Sequence, residues 1–109
     1  MTELVSVSDK DGVRTIRMNR PDKKNALNSQ MYTALAKAVA SANLEREIRC
    51  LLIAGVPGAF CAGNDLKDFQ DAAKAGGGLG DEAIAFLHAL AGCEKPIVAA
   101  VQGVAIGIG

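Results

Sequence analysis

Phe60-Cys61-Ala62-Gly63-Asn64-Asp65-Leu66-Lys67-Asp68-Phe69 follows an apolar run, Leu51-Leu52-Ile53-Ala54-Gly55, and opens a segment in which Leu66, Phe69 and Ala73 recur at helical spacing. The stretch therefore reads as a loop between a strand and a helix. Backbone N–H groups at such a junction lack intrahelical partners, and the helix dipole favours negative charge there. A second segment has the same layout. Pro96 to Val101 reads as a strand, and Gly103-Val104-Ala105-Ile106-Gly107-Ile108-Gly109 turns off it. Two such loops facing each other would hold a developing oxyanion between backbone donors.

Working outward, Leu4 to Ser8 and Val13 to Met18 alternate apolar and polar residues on either side of Asp9-Lys10-Asp11-Gly12, which predicts a β-hairpin with one solvated face. A helix is expected to start with Asn28 or Ser29 as N-cap and to bury a stripe of Met31, Leu35, Ala38, Val39 and Ala42. Cys50 to Ala54 and Ile97 to Val101 are almost wholly apolar, the pattern of strands buried on both faces. Between them two helices are predicted, about Leu66 to Ala75 and Asp81 to Gly92, with Asp81 as N-cap and Gly92 as the stop. The order β-β-α-β-α-α-β predicts an α/β layer whose later strands are parallel. Gly76 to Gly80, the one low-complexity patch, reads either as a flap near a ligand or as a surface connector.

The chain has 109 residues, half of them apolar, with 12 basic and 12 acidic side chains scattered without blocks of one sign. This pattern leaves no footprint for nucleic acid. Lys23-Lys24 after Arg20 is the only local basic cluster, and its plain reading is a solvated loop. No apolar run reaches the ~18 residues of a membrane span, and the start lacks a basic region followed by an apolar one. A cytoplasmic protein is expected. Cys50, Cys61 and Cys93 have irregular spacings that suit neither a disulfide framework nor a zinc site. Cys61 lacks an adjoining base and reads as a small core residue, and the lone His88 as packed or half exposed. Gly76-Gly77-Gly78-Leu79-Gly80-Asp81 lacks the Lys-Ser or Lys-Thr ending of a P-loop, and Gly103, Gly107 and Gly109 do not match the dinucleotide fingerprint.

Together with Met18-Asn19-Arg20-Pro21 and Asn25-Ala26-Leu27-Asn28, the two loops give a chain that resembles the crotonase superfamily of enoyl-CoA hydratases and isomerases. The resemblance implies a crotonase-like spiral of β-β-α units. Residues 1–109 would form the N-terminal part of one such domain, reaching into the second oxyanion loop. It also implies a substrate, an acyl-CoA thioester, with coenzyme A entering as part of it and no separate cofactor or metal. Carried over residue by residue, the oxyanion donors are the backbone N–H groups of Asn64 and Ile108, beside Gly107. Many relatives resemble Ala-Gly-Ala-Asp and Gly-Gly-Gly there, so both side chains depart from the pattern while keeping the N–H. Asn64-Asp65-Leu66 resembles the version found in some enoyl-CoA isomerases.

The acyl-CoA would be received by Ala62, Gly63, Asn64, Asp65, Leu66 and Gly107, with Ala26 and Leu27 helping and Lys23 or Lys24 near phosphate. The family's catalytic carboxylates, usually glutamates, would follow Gly109. Asp65 is read as a first-turn helix stabiliser and Asp68 as solvated. The resemblance further implies homo-trimers or hexamers for the full-length protein. The expected activity is enoyl-CoA isomerase or hydratase; the competing reading is a non-catalytic CoA-binding or assembly module, a half-fold without its catalytic carboxylates.

Overall fold

A computed structural model describes residues 3–74 and 80–109, with the backbone alone for residues 69, 72 and 73. The glycine-rich patch at 76–80 thus lies, except for Gly80, outside the described residues. The hairpin consists of β1 (Val5–Lys10) and β2 (Val13–Met18), antiparallel, and its turn is Asp11-Gly12, both at positive φ (+52° and +82°). Such a two-residue turn matches the twist of the strands it joins. β2 buries Arg14, Ile16 and Met18 in alternation.

After a 3-10 turn over Pro21–Lys23 comes α1 (Ser29–Leu44), capped by Asn28, whose Oδ1 accepts the Met31 N–H at 2.9 Å. Its expected stripe is buried throughout, joined by Tyr32, and it faces β2 on one side and α3 (Asp81–Ala91) on the other. Gly80, rather than Asp81, occupies the N-cap position of α3, and Gly92 closes its C-terminus. α2 (Leu66–Lys74) runs between the two. Arg14, only 6% exposed, ties hairpin to helix. It pairs with both Asp9 carboxylate oxygens at 2.9 Å and donates to the Ala38 carbonyl and Ser41 hydroxyl. Its buried charge is therefore matched on every side, which is what makes such burial tolerable.

β3 (Cys50–Ala54) and β5 (Ile97–Ala100) complete a four-stranded sheet in the order β1-β2-β3-β5, and the pairs β2–β3 and β3–β5 are parallel as expected. Three expectations need correction. β5 is not buried on both faces: all four of its residues are exposed, Val98 by 56%, because it forms the sheet edge and no described element covers it. β3 is only partly enclosed, with Leu51 and Ala54 buried. Two strands were also absent from the predicted order: β4 (Ala59–Cys61) and β6 (Val104–Ala105), which pair in parallel as a second, two-stranded sheet. Both are too short to show a period.

Candidate functional site

β4 and β6 place the two loops side by side. In their parallel register Cys61 stands opposite Ala105, so both strands deliver their following loops at the same end. Asn64 lies three residues beyond Cys61, and Ile108 three beyond Ala105. Each is preceded by a glycine at positive φ, Gly63 at +94° and Gly107 at +59°. The loops touch: the Ile106 N–H donates to the Cys61 carbonyl at 3.1 Å, and a Cβ added at Gly63 would lie 2.8 Å from the Ile106 carbonyl oxygen. Only glycine fits there, because the conformation and the close approach both exclude a side chain.

The amides on either side of Asn64, and the one after Ile108, are occupied. Leu27 N–H donates to the Gly63 carbonyl at 2.7 Å, Asp65 N–H to the Leu27 carbonyl at 2.8 Å, and Gly109 N–H to the Ile106 carbonyl at 2.9 Å. Among the described residues neither the Asn64 nor the Ile108 N–H has an acceptor. Pairing on one side of the first loop thus leaves its next donor turned away from the bridge with Leu27.

Two side chains fix the entry to this loop. Asn25, fully buried at φ +61°, accepts the Arg20 N–H at 2.6 Å through Oδ1 and donates through Nδ2 to the Ala59 and Phe60 carbonyls, each at 3.1 Å. It locks the Lys24–Leu27 segment onto β4. Arg20 donates from Nη1 to the Ala26 carbonyl at 2.9 Å and to Asp65 Oδ2 at 2.8 Å. Asp65 Oδ1 in turn accepts the Lys67 and Asp68 N–H groups at 2.9 and 3.1 Å, so Asp65 caps α2 from outside it rather than sitting in its first turn. Asp68 is not simply solvated. Its Oδ2 accepts the Ser29 N–H at 2.7 Å and caps α1 from a different helix.

The Asp68 N–H, helped by the Arg20 guanidinium and the Lys67 N–H, holds the Asp65 carboxyl below its ordinary value of 3.8 against the opposing effect of burial. The stability it contributes is complete above the ordinary value and is lost as the pH falls through the lowered one. Asp65→Ala is expected to cost about 1–2 kcal/mol at neutral pH. In denaturant titrations the gap to the parent should hold down to about pH 4 and close only below it.

Cys61 is buried beside the loop, accepts the Gly63 N–H and donates to the Asn25 carbonyl, both at 3.4 Å. Burial pushes its thiol above the ordinary value, so it is an inert core group, as expected. His88 is exposed on α3.

Two clefts meet at Asn64. The larger, about 720 Å³, is lined by Lys23, Ala26, Ala62, Leu66 and Lys67 together with Asn64 and Asp65. The smaller, about 360 Å³, has Leu27, Tyr32, Asp68, Glu82 and Ala83 in its wall, again with Asn64 and Asp65. Of the predicted pair of lysines, Lys23 faces the larger cleft; Lys24, at φ +50°, closes the 3-10 turn by donating to the Pro21 carbonyl. Gly63, Gly107 and Ile108, expected at the site, line neither cleft. Arg20, Asn25, Tyr32 and Lys67 were not singled out as site residues from sequence. For Arg20, Asn25 and Lys67 the signal was present, since all three lie in the quoted motifs. Tyr32 donates its hydroxyl to Asn64 Oδ1, and its ring packs on Phe86 with centroids 5.8 Å apart. Burial first, then the Cys61 thiol, pushes the phenol up to about 12, so it is a neutral donor at physiological pH.

The sequence model for enoyl-CoA hydratase/isomerase matches residues 8–109. The chain is 36% identical to 1,2-epoxyphenylacetyl-CoA isomerase of Escherichia coli, with all of this chain and 44% of that protein covered. It is 35% identical to human enoyl-CoA delta isomerase 2, covering 97% of this chain and 28% of the relative. Among solved structures, Pseudomonas aeruginosa OdaA superposes with a TM-score of 0.90 at 39% identity, covering 99% of this chain and 43% of that one. The chain thus spans less than half the length of these relatives, and over that span the crotonase fold implied by the motifs is the fold observed.

Proposed function

The chain belongs to the enoyl-CoA hydratase/isomerase family, and from that premise we propose that it binds the carbonyl oxygen of an acyl-CoA thioester between the Asn64 and Ile108 N–H groups. There it stabilises the enolate formed during double-bond isomerisation or hydration. The observation that carries this reading is the pair of register-equivalent amides, each behind a positive-φ glycine and each without an acceptor among the described residues. In isomerisation a base takes a proton from the carbon next to the thioester, charge collects on the thioester oxygen, and the proton returns two carbons further along. In hydration, a base takes a proton from water as its oxygen adds to the third carbon, an enolate again forms, and a proton then reaches the second carbon. Either way two donors fixed in advance bind the charged oxygen more tightly than the neutral one.

Coenzyme A lies along the larger cleft in this reading, its pantetheine against the backbone of Ala62, Asp65 and Leu66 with Ala26 beside it, while Leu27 stands in the wall of the smaller cleft. Lys23, joined by Lys67, supplies positive charge for phosphate. Asp65 and Asp68 are occupied by Arg20, Ser29 and the helix N–H groups, which leaves proton transfer to the glutamates that the family resemblance places beyond Gly109. Proton transfer and enolate stabilisation suffice for both reactions, so the reading calls for no metal or redox cofactor. The free thiols of Cys50, Cys61 and Cys93 support a reducing, cytoplasmic setting. No described helix is long and apolar enough to cross a membrane. Assembly as a trimer or hexamer is carried over from the resemblance alone.

The full-length natural protein should convert a 3-enoyl-CoA to its conjugated 2-enoyl isomer, or hydrate the latter, followed by absorbance of the conjugated thioester. The Asn64-Asp65-Leu66 version favours the first. The occupied state of Asp65 and Asp68 favours a second reading, a CoA-thioester-binding module without turnover. Binding of butyryl-CoA with neither reaction above background would select it, and failure to bind any acyl-CoA would defeat both.

A further inference from the structure

Asn64 carries a second donor that the oxyanion role does not use. Its carboxamide oxygen is held by the Tyr32 hydroxyl, while its carboxamide nitrogen has no acceptor among the described residues. That nitrogen is not sealed from solvent, because none of the described buried side-chain nitrogens or oxygens lacks a partner. Asn64 lines both clefts, at their junction. Its free carboxamide N–H groups are therefore accessible from the clefts that Asn64 lines, on the residue whose backbone N–H the functional reading gives to the thioester oxygen.

We propose that Tyr32 is a positioning residue that holds the Asn64 carboxamide by its oxygen, and that Asn64 thereby selects acyl-CoA thioesters bearing an oxygen on the third carbon of the acyl chain. The match is one of connectivity. The backbone nitrogen and carboxamide nitrogen of an asparagine are separated by the same number of covalent bonds as the thioester oxygen and an oxygen on the third carbon. One residue can thus donate to both oxygens. Tyr32 can only donate while its phenol stays protonated, and burial keeps it so; with the hydroxyl bound to the carboxamide oxygen, the nitrogen is the end left for ligand. The packing of its ring on Phe86 restricts the phenol to this position. A ligand that carries an oxygen there gains one hydrogen bond over the analogue that lacks it.

This inference rests on the proposed acyl-CoA binding, and the test separates the two. Dissociation constants of acetoacetyl-CoA and butyryl-CoA, which differ by the oxygen on the third carbon, are measured by titration calorimetry on the full-length natural protein and three variants. The parent should prefer acetoacetyl-CoA by about five- to tenfold, the scale of one hydrogen bond. Asn64→Ala should erase that preference. Tyr32→Phe keeps the ring against Phe86 and should shrink the preference severalfold without changing butyryl-CoA affinity, and the double variant should match Asn64→Ala. A preference that survives Asn64→Ala, a parent without preference, or a Tyr32→Phe variant that weakens both ligands equally overturns the inference and leaves acyl-CoA binding standing. A parent that binds neither thioester overturns the functional reading and this inference with it.

Discussion

Asn64→Pro should slow turnover of the full-length enzyme by about 100- to 1000-fold, the loss of one oxyanion donor worth some 2.7 to 4 kcal/mol. Proline deletes the N–H, and that N–H has no acceptor among the described residues. The bridge to Leu27 runs through the Gly63 carbonyl and the Asp65 N–H, both of which survive. Asn64→Ala keeps the backbone donor and should cost far less, within about tenfold, through the lost carboxamide contacts alone. Circular dichroism should show both variants folded. An alanine variant that loses as much as the proline one would mean that the side chain and not the backbone carries the chemistry, and a proline variant with near-parent turnover would mean that neither does.

The second large effect is on stability. Asn25→Ala should destabilise the fold by about 3 kcal/mol, because it removes the acceptor of the Arg20 N–H and a buried donor to the Ala59 and Phe60 carbonyls, of which Ala59 keeps only the Val56 N–H. It also places alanine at φ +61°, a conformation asparagine tolerates better. Equilibrium unfolding in urea should show a lower midpoint with little change in slope. An unchanged midpoint would mean that the Lys24–Leu27 segment is held to β4 by something other than this side chain.

How much of this was legible in the sequence differs from element to element. The hairpin and α1 were plain, because Asp11-Gly12 forces a tight turn and the stripe from Met31 to Ala42 repeats at helical period along most of a sixteen-residue helix. β4 and β6 were not, since three and two residues cannot display an alternation and their pairing is created by tertiary contact. The exposure of β5 was equally invisible: an apolar run tells what a strand can bury, whereas its neighbours decide what it does bury. Asp68 misled for a similar reason, as the Ser29 N–H it caps is 39 residues away. The candidate donors could be placed from motif resemblance, yet their being unpaired depends on which face of each loop the β4–β6 register leaves over. No side chain records that.

The central claim, that the Asn64 and Ile108 N–H groups act on the thioester oxygen, is tested most directly by isotope-edited infrared spectroscopy of an acyl-CoA labelled with carbon-13 at the thioester carbonyl. On binding to the full-length protein the carbonyl stretch should move to lower frequency, because two donors draw electron density onto the oxygen. With Asn64→Pro, bound ligand should show a distinctly smaller displacement. A bound thioester whose carbonyl stretch stays at its solution frequency in the parent, or is displaced equally in the proline variant, would contradict the account.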